Sequence, residues 1–180
     1  MKYLRHVMKT NLTGHTISWK AWPQEYTWIF WNDSLLEPMA ELVFAATSNT
    51  PDATIFPRFQ TSDGCRESVR RMIAHHHFFA PGSGVIAMLS SQSMPSCHGG
   101  IIGAVLDDNC GWIQNVLVLP GMQGRGIGTF LVEKLLLEFL RYDVVNVGLH
   151  VTATNAAALK IYLRYGFEIT ETIEVEPREF

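Results

Sequence analysis

The sequence predicts an α/β fold in which helices pack against a mixed, mostly antiparallel sheet. Residues 84–119 contain three apolar segments joined by short connections, which is typical of an antiparallel meander. Residues 120–180 then alternate between helix and strand patterns, which indicates a crossover connection and some parallel pairing. Two helical patterns occupy residues 34–75, ahead of the meander.

The chain is predicted to begin with an extended segment followed by a helix. Residues 4–22 alternate loosely in hydrophobicity and turn at Thr13-Gly14, which favours a hairpin or an extended strand. Asp33 or Ser34 is then placed to cap a helix that runs to about Ser48, because both side chains accept hydrogen bonds from the first free amides of a helix.

A loop and a second helix are predicted next. Pro51 and Pro57 act as breakers, so Asn49–Thr61 is assigned to a loop. The second helix runs from Asp63 to about His75, with Ser62 as its cap.

Three consecutive strands are predicted at residues 84–90, 100–107 and 111–119. The segment Asp108-Asn109-Cys110-Gly111 supplies the tight turn between the last two, because Asn, Asp and Gly tolerate turn conformations. Short turns join antiparallel neighbours.

The remainder is predicted to hold a helix at Gly126–Arg141, a strand at Val144–Val151, a short helix at Asn155–Tyr165 and a closing strand or hairpin at Phe167–Glu176. No repeat or low-complexity linker divides the chain. Residues 1–180 are therefore interpreted as a single domain, in keeping with its length.

Composition excludes several classes of protein. The net charge is −3, with no dense run of Lys or Arg, which disfavours nucleic acid as a partner. Apolar stretches fall short of the ~20 residues of a membrane span. Cys65, Cys97 and Cys110 form no paired framework, which indicates reduced thiols and a cytoplasmic protein. Charged residues make up only 17%, and this apolar composition is compatible with a homodimer.

The most informative segment lies at a strand-to-helix junction and reads Pro120-Gly121-Met122-Gln123-Gly124-Arg125-Gly126-Ile127-Gly128-Thr129. Free amides at the start of a helix suit a phosphate or pyrophosphate, although a tight turn alone also explains a glycine cluster. A nucleoside triphosphate loop would need Lys at position 127, where Ile stands, and a dinucleotide fingerprint would need Gly at position 129, where Thr stands.

Two patterns resemble signatures of one enzyme family. Gln123-x-x-Gly126-x-Gly128, preceded by Val116-Leu117-Val118-x-Pro120, resembles the coenzyme A pyrophosphate motif of the GNAT family of N-acetyltransferases. Asn155-Ala-Ala-Ala158-x-x-x-Tyr162-x-x-x-Gly166-Phe167 is similar to the second signature of that family, in the expected order. Together the two patterns cover about residues 99–170.

The resemblance implies a GNAT-like sheet with helices on both faces and a splayed strand pair that holds acetyl-CoA. Within one acetyltransferase domain, residues 1–33 would form the N-terminal strand region. Residues 34–80 would supply helices and the acceptor-site loop, and residues 84–180 the cofactor-binding core. Metal is not expected to take part.

The resemblance also assigns the residues that bind acetyl-CoA. The strand before the turn would pair with the pantetheine arm, main-chain amides of the turn would hold the pyrophosphate, and a side chain at Gly126 is expected to block the cofactor. Asn155 would bond the cofactor arm, which is compatible with capping a helix. The cofactor-binding assignments are Val116, Leu117, Val118, Gln123, Gly124, Arg125, Gly126, Ile127, Gly128, Thr129 and Asn155.

Tyr162 matches the tyrosine that lies near the cofactor sulfur in the family, where it would donate a hydrogen bond to the leaving thiolate. The alternative is a tyrosine whose ring simply packs in the core. An amide at Leu117 or Val118 would serve as the oxyanion donor.

The general base departs from the family pattern. Many members place an acid on the strand before the turn, but residues 111–119 contain no carboxylate. His150 is the replacement of choice, because an imidazole accepts a proton near neutral pH, although a strand histidine can also be satisfied by a neighbour. A water relay to Asp107 or Asp108 is the fallback.

The other reactive side chains carry weaker hypotheses. His75, His76 and His77 are adjacent, and neighbouring residues of a regular helix do not face one ion, so no metal site is assigned. Cys97 and Cys110 are alternative nucleophiles for a thiol route.

The predicted activity is transfer of an acetyl group from acetyl-CoA to a primary amine of a small molecule or a protein. The alternative is a non-catalytic acyl-CoA-binding or sensing module of the same fold. The loop Asn49–Thr61 is expected to shape the acceptor pocket, with Phe56, Pro57 and Phe59 as apolar lining and Asp52, Arg58 and Gln60 as polar contacts.

Overall fold

A computed structural model describes residues 2–17, 26–88 and 96–177. Its strands are β1 (Tyr3–Asn11), β2 (Tyr26–Phe30), β3 (Gly84–Met88), β4 (Ser96–Val105), β5 (Gly111–Val118), β6 (Asn146–Thr152) and β7 (Glu168–Val175). Its α-helices are α1 (Leu36–Thr47), α2 (Pro51–Ile55), α3 (Ser62–Ala74), α4 (Ile127–Arg141) and α5 (Ala156–Arg164).

The strands form one sheet in the order β2-β3-β4-β5-β6-β1-β7. Strands β2 to β5 are antiparallel neighbours, which confirms the predicted meander. Strand β6 pairs in parallel with β5, because α4 carries the chain over the sheet between them. The mixed, mostly antiparallel sheet is thus confirmed.

Of the two forms predicted for the start of the chain, β1 has that of an extended strand. It lies between β6 and β7 and pairs antiparallel with both. Gly14, in the predicted turn after β1, adopts a φ of +74°. Much of the predicted return segment, residues 18–22, lies outside the described residues.

Two apolar clusters cover the two faces of the sheet. One cluster joins α4 and α5 to the sheet and includes Leu131, Leu135 and Phe139 of α4. The other joins α1, α2 and α3 to the opposite face and includes Met39 and Val43 of α1. Helices on both faces were expected from the family resemblance, and the structure confirms them. None of the helices in the described ranges combines the length and apolar character needed to cross a bilayer.

The predicted caps of α1 and α3 are wrong by one residue or two. Asn32 caps the helical turn that precedes α1, where its side chain accepts the Ser34 amide at 3.1 Å. Thr61, not Ser62, caps α3, where its hydroxyl accepts the Gly64 amide at 3.1 Å. In both cases the residue just before the predicted cap already has the extended backbone that a cap requires.

The prediction of a loop over Asn49–Thr61 is also wrong. Helix α2 and a 3-10 turn at Pro57–Gln60 occupy most of it. Each begins at a proline, because proline lacks an amide hydrogen but its fixed φ suits the first position of a helix. This short helix sets the position of Asp52 in the site.

The boundaries of β4 and β5 differ from the prediction by up to four residues. Strand β4 begins at Ser96 rather than at Gly100. The predicted strand at residues 84–90 is described only to Met88, since residues 89–95 are outside the described ranges. The closing segment is a single strand, β7.

Candidate active site

The central feature of the site is a gap between β5 and β6. The two strands pair only where Gly111–Ile113 face Val147–Leu149. Beyond these residues, β5 continues beside β4 and β6 continues beside β1. A bulge helps to turn β5 aside, because Gln114 is an extra residue between the pairs that β5 makes with β4. The predicted splayed strand pair is therefore present in the sheet.

A cleft of about 1180 Å³ occupies this gap and continues between the start of α4 and the helices on the opposite face. The cleft is lined by all the residues predicted to bind cofactor or to act in catalysis, with one exception. Those on its wall are Val116, Leu117, Val118, Gln123, Gly124, Gly126, Ile127, Gly128, Thr129, His150, Asn155 and Tyr162.

Arg125 is the exception, since its side chain is not on the wall of the cleft. It is exposed, and its charge acts on His98 instead. The pKa of His98 is lowered, first by burial and then by the Arg125 guanidinium. The main-chain amide of Arg125 stays part of the turn.

The glycine turn has the backbone that its sequence requires. Gly124 and Gly126 adopt φ values of +76° and +84°, and Gly126 caps α4. A Cβ built on either residue would meet no atom within 4 Å, so both glycines face open space. Gly128 has a different role, since its added Cβ would lie 3.1 Å from the Ile161 side chain of α5.

The amides of Gly124–Thr129 are the candidates for binding an anion at the cleft. Among the described residues, none of these six amides donates to a backbone or side-chain acceptor. The first amides of α4 also lie at the positive end of a 15-residue helix. Amides and glycines together make a cradle that fits a diphosphate.

The direction of the β5 amides refines the predicted oxyanion donor. The Leu119 amide donates to the carbonyl of His98, on β4, at 3.0 Å. In an antiparallel pair the amides alternate between the two sides of a strand, so the Leu117 amide also points to β4. The Val116 and Val118 amides then point into the gap. Of the two predicted donors, Val118 has the correct direction and Leu117 does not.

Tyr162 lies on the wall of the cleft, with its ring in the core. Its side chain is 7% exposed, and its ring centroid is 5.7 Å from that of Phe167. Burial raises the pKa of the Tyr162 hydroxyl well above its ordinary value, and the carboxylate of Asp52 adds to this shift. The hydroxyl therefore stays protonated across the neutral range and is a hydrogen-bond donor.

Asn155 caps α5. Its side-chain oxygen accepts the Ala158 amide at 3.1 Å. The predicted capping role is confirmed, and its position on the cleft wall is compatible with the predicted contact to the cofactor arm.

His150 is exposed on the cleft wall, near the end of β6. Partial burial of the imidazole ring lowers the pKa of His150. The Arg5 guanidinium acts in the same direction, and Glu171 acts against them. The imidazole is therefore neutral at pH 7 and able to accept a proton. Its ring meets the Trp112 indole edge to face, with centroids 5.1 Å apart.

Gly148 allows Trp112 to reach this position. A Cβ on Gly148 would lie 2.3 Å from Cζ3 of Trp112. We expect Gly148→Ala to displace the indole and to lower the free energy of unfolding by about 1–3 kcal/mol, since overpacking a buried contact has this cost. Urea unfolding measures the change. Gly121→Ala is the control, because a Cβ there meets nothing within 4 Å. Equal stability of the two variants would contradict the prediction.

Asp52 is the site residue whose role the sequence did not reveal. It lies in the first turn of α2, and its Oδ1 accepts the Thr152 hydroxyl at 2.5 Å. Asp52 also lines the cleft and is close enough to Tyr162 to raise its pKa, so its carboxylate lies at the Tyr162 end of the cleft. The position of Asp52 follows from helix α2, which starts at Pro51. A proline at the first position of a helix is the sequence signal that could have placed Asp52 on a helix instead of in a loop.

The fallback acids lie elsewhere. Asp107 is at the end of β4, where its Oδ1 lies 2.8 Å from Nε2 of His77. Neither Asp107 nor Asp108 lines the cleft, so a water relay to them is not supported. The cause is the topology, because the β4–β5 turn is at the opposite end of β5 from the gap.

The three histidines correct an argument made from sequence. Helix α3 ends at Ala74, so His75 to His77 are not on a regular helix. Their ligand atoms lie within 4.8 Å of one another, and the rings of His76 and His77 are 3.9 Å apart. The absence of a metal site stays a prediction, but helical spacing is not a reason for it.

The cysteines do not favour a thiol route. Burial raises the pKa of Cys97 and of Cys110, and neighbouring Glu41 and Asp108 add to these two shifts respectively. Burial also raises the pKa of Cys65, to about 11. None of the three thiols lines the cleft. A thiolate nucleophile is disfavoured in all three places.

Comparison with known proteins assigns the family. A sequence model described as the acetyltransferase (GNAT) family matches residues 53–167, which is more than half of the chain. The chain belongs to this family. The match includes the glycine turn, His150, Asn155 and Tyr162, but neither Asp52 nor Arg5.

Individual relatives are similar over shorter segments. The [ribosomal protein bS18]-alanine N-acetyltransferase of Salmonella typhimurium is 40% identical over 67 residues, which is 37% of this chain and 44% of that relative. A histone acetyltransferase of Glycine max is 39% identical over 56 residues, 31% of this chain and 23% of that protein. The chain thus spans less than half the length of these curated relatives.

A solved structure confirms the fold over nearly the whole chain. A GCN5-related N-acetyltransferase from Sphaerobacter thermophilus has a TM-score of 0.71 at 21% identity, covering 98% of this chain and 52% of that one.

Proposed function

We propose that the protein transfers an acetyl group from acetyl-CoA to a primary amine by direct attack. One observation carries the proposal: a single cleft joins the free amides of Gly124 and of residues 126–129 to the gap between β5 and β6 and to Tyr162. A diphosphate at the amides would direct the rest of acetyl-CoA along β5. Family membership supports the same assignment.

The amine nitrogen attacks the thioester carbon, and the carbonyl oxygen becomes an oxyanion. The Val118 amide, which points into the gap, donates to that oxygen. When the carbon–sulfur bond breaks, its electron pair goes to sulfur, and coenzyme A leaves as a thiolate. Tyr162 donates a hydrogen bond to this thiolate. Full proton transfer is uphill, because a thiol with a pKa of about 8.5 is a stronger acid than a buried tyrosine.

His150 removes the proton from the attacking amine. Its lowered pKa keeps the ring neutral at pH 7, as a base must be. Asp52 is not assigned this role, because Oδ1 of its carboxylate already accepts the Thr152 hydroxyl. The Asp52 carboxylate instead attracts the positively charged form of the amine and orients it beside Tyr162.

We expect His150→Gln to move the rise of kcat/KM to higher pH. In the unchanged protein the rise follows loss of the His150 proton, at a pH below the ordinary histidine value of about 6.5. Without His150, the amine itself must lose its proton to water, which requires more alkaline solution. The measurement is a pH series of kcat/KM from pH 5 to 10.

His98→Gln is the matched control for this series. The pKa of His98 is also lowered, but His98 lies outside the cleft, so its replacement is expected to leave the profile unchanged. An unchanged profile in His150→Gln rules His150 out as the base.

A non-catalytic acyl-CoA-binding module is the second candidate, because β5 carries no carboxylate. Two measurements separate the candidates. Calorimetric titration with acetyl-CoA tests the cradle, and a thiol-release assay over a panel of amines tests turnover. Binding together with release supports the transferase, and binding without release supports the module. Absence of binding at millimolar acetyl-CoA contradicts both.

A further inference from the structure

Three guanidinium groups line the wall of the cleft on the α1–α3 face of the sheet. Arg5 comes from β1, Arg58 from the turn after α2, and Arg71 from α3. The Cζ atoms of Arg5 and Arg58 lie 5.0 and 4.9 Å from the centroid of the Phe56 ring. Two cations therefore share one aromatic ring, and a third stands nearby.

These cations act on one another. The pKa of Arg58 is lowered by burial and further by the charges of Arg71 and Arg5. The pKa of Arg5 is lowered by burial, against the attraction of Asp52. Glu67 neutralises part of this charge, because its carboxylate lies 2.9 Å from Arg71. An anion placed between Arg5 and Arg58 would relieve the repulsion between these two charges.

Arg5 retains hydrogen-bonding capacity. Within the described ranges it forms no ion pair, and Nη2 donates only a long bond, 3.4 Å, to the carbonyl of His150. Its Nε is buried and has no hydrogen-bond partner among the described residues. The N–H groups along one edge of a planar guanidinium fit a carboxylate, which accepts two parallel N–H bonds from them.

The position of Arg5 relates this anion site to the reacting groups. Arg5 lies directly opposite Thr152 in the β1–β6 pair, and Thr152 donates to Asp52. His150 is two residues away on β6, on the same face of the sheet. An amino group between His150 and Tyr162 and a carboxylate on Arg5 could therefore belong to one small molecule, with only a few covalent bonds between the two groups.

We propose that Arg5 and Arg58 form a carboxylate-binding subsite, and that the acceptor is a small amine with a free carboxylate, that is, an amino acid. The inference rests on the proposed function and specifies its substrate class. Phe56 and Phe59 add an apolar wall for the rest of the acceptor.

A site that binds a carboxylate next to the amine would distinguish a free amino acid from a protein amino terminus. In a protein the carboxyl group next to the terminal amine is consumed in a peptide bond, so Arg5 would have no anion to bind. Arg5 also lies outside residues 53–167, the part that matches the family. The subsite is thus partly built from a segment that the family match does not include.

The first test needs no turnover. N-acetyl derivatives of the proteinogenic amino acids, and the corresponding N-acetyl amino acid amides, are titrated calorimetrically into the protein in the presence of coenzyme A. Each pair differs only in the carboxylate. We expect the best-bound acid to bind at least tenfold more tightly than its amide. Equal binding of acid and amide, or no binding at millimolar concentration, overturns the proposal.

Variants locate the subsite. Arg5→Gln and Arg58→Gln should each reduce the ratio of acid to amide affinity to within about threefold of one. Arg5→Lys should restore only part of the ratio, since lysine keeps the charge but loses the two-pronged geometry. Arg70→Gln is the control, because Arg70 is paired with Glu67 and does not line the cleft. A ratio that survives in both glutamine variants overturns the proposal.

A kinetic comparison of acceptors distinguishes failure of the carboxylate subsite from failure of the proposed transferase activity. Free amino acids, their amides and short peptides are compared by kcat/KM in the thiol-release assay. Selective binding of acids without thiol release would contradict the transferase but retain the carboxylate subsite. Release that is fastest with peptides would retain the transferase and overturn the amino acid as acceptor.

Discussion

Tyr162→Phe is expected to lower kcat by about 10- to 100-fold, because a hydrogen bond to a charged group contributes about 1.5–3 kcal/mol. The donor is present only while the tyrosine is protonated, and its raised pKa ensures this throughout the neutral range. The ring that packs against Phe167 is retained in the variant. Affinity for acetyl-CoA should change little, as calorimetry would show.

Tyr165→Phe is the control for this experiment. Tyr165 is next to the end of α5, does not line the cleft, and donates its hydroxyl to the buried carboxylate of Glu133 on α4. Its loss should lower stability by about 1–3 kcal/mol and leave kcat nearly unchanged, since an unsatisfied buried acceptor has this cost. The two variants should therefore show opposite patterns. Turnover of Tyr162→Phe at the unchanged rate would remove Tyr162 from the mechanism.

Gly126→Asn is expected to weaken acetyl-CoA binding at least about tenfold. Asparagine tolerates the left-handed backbone of this position better than most residues, so the turn can still form. Its side chain would project into the open space above the amides, where the structure has no atom within 4 Å of the added Cβ. Loss of one amide contact to a charged diphosphate corresponds to about 10- to 100-fold in affinity.

Gly14→Asn matches this substitution outside the cleft. Gly14 also has a positive φ, +74°, and open space around an added Cβ. Both variants should therefore lose a similar amount of thermal stability, while only Gly126→Asn loses affinity for acetyl-CoA in calorimetry. Undiminished affinity in Gly126→Asn would show that the diphosphate lies elsewhere.

Elements with strong local signals were predictable from the sequence. The meander followed from its short turns, and the glycine turn followed from a cluster of the residue that a positive φ favours, as at Gly126. The capping role of Asn155 followed in the same way. Each of these features depends on neighbours that are close in sequence, so the pattern contains the information.

Features that depend on long-range pairing could not be predicted. Arg5 joins the site only because β1 lies beside β6, and Asp52 only because α2 points its first turn at Thr152. The sequence placed Asp52 among the polar contacts of a loop, but not at the reacting end of the cleft. The direction of the Leu117 amide also depends on the register with β4.

The pairing of β1 with two strands from late in the chain affects folding during synthesis on the ribosome. Of the described strands, β1 is made before the others, but both of its partners, β6 and β7, come from the last part of the described chain. Its edges stay unpaired until most of the chain has emerged, and pairing over such separations is slow. The meander can assemble earlier, so the wall that carries Arg5 is completed in the final stage of folding.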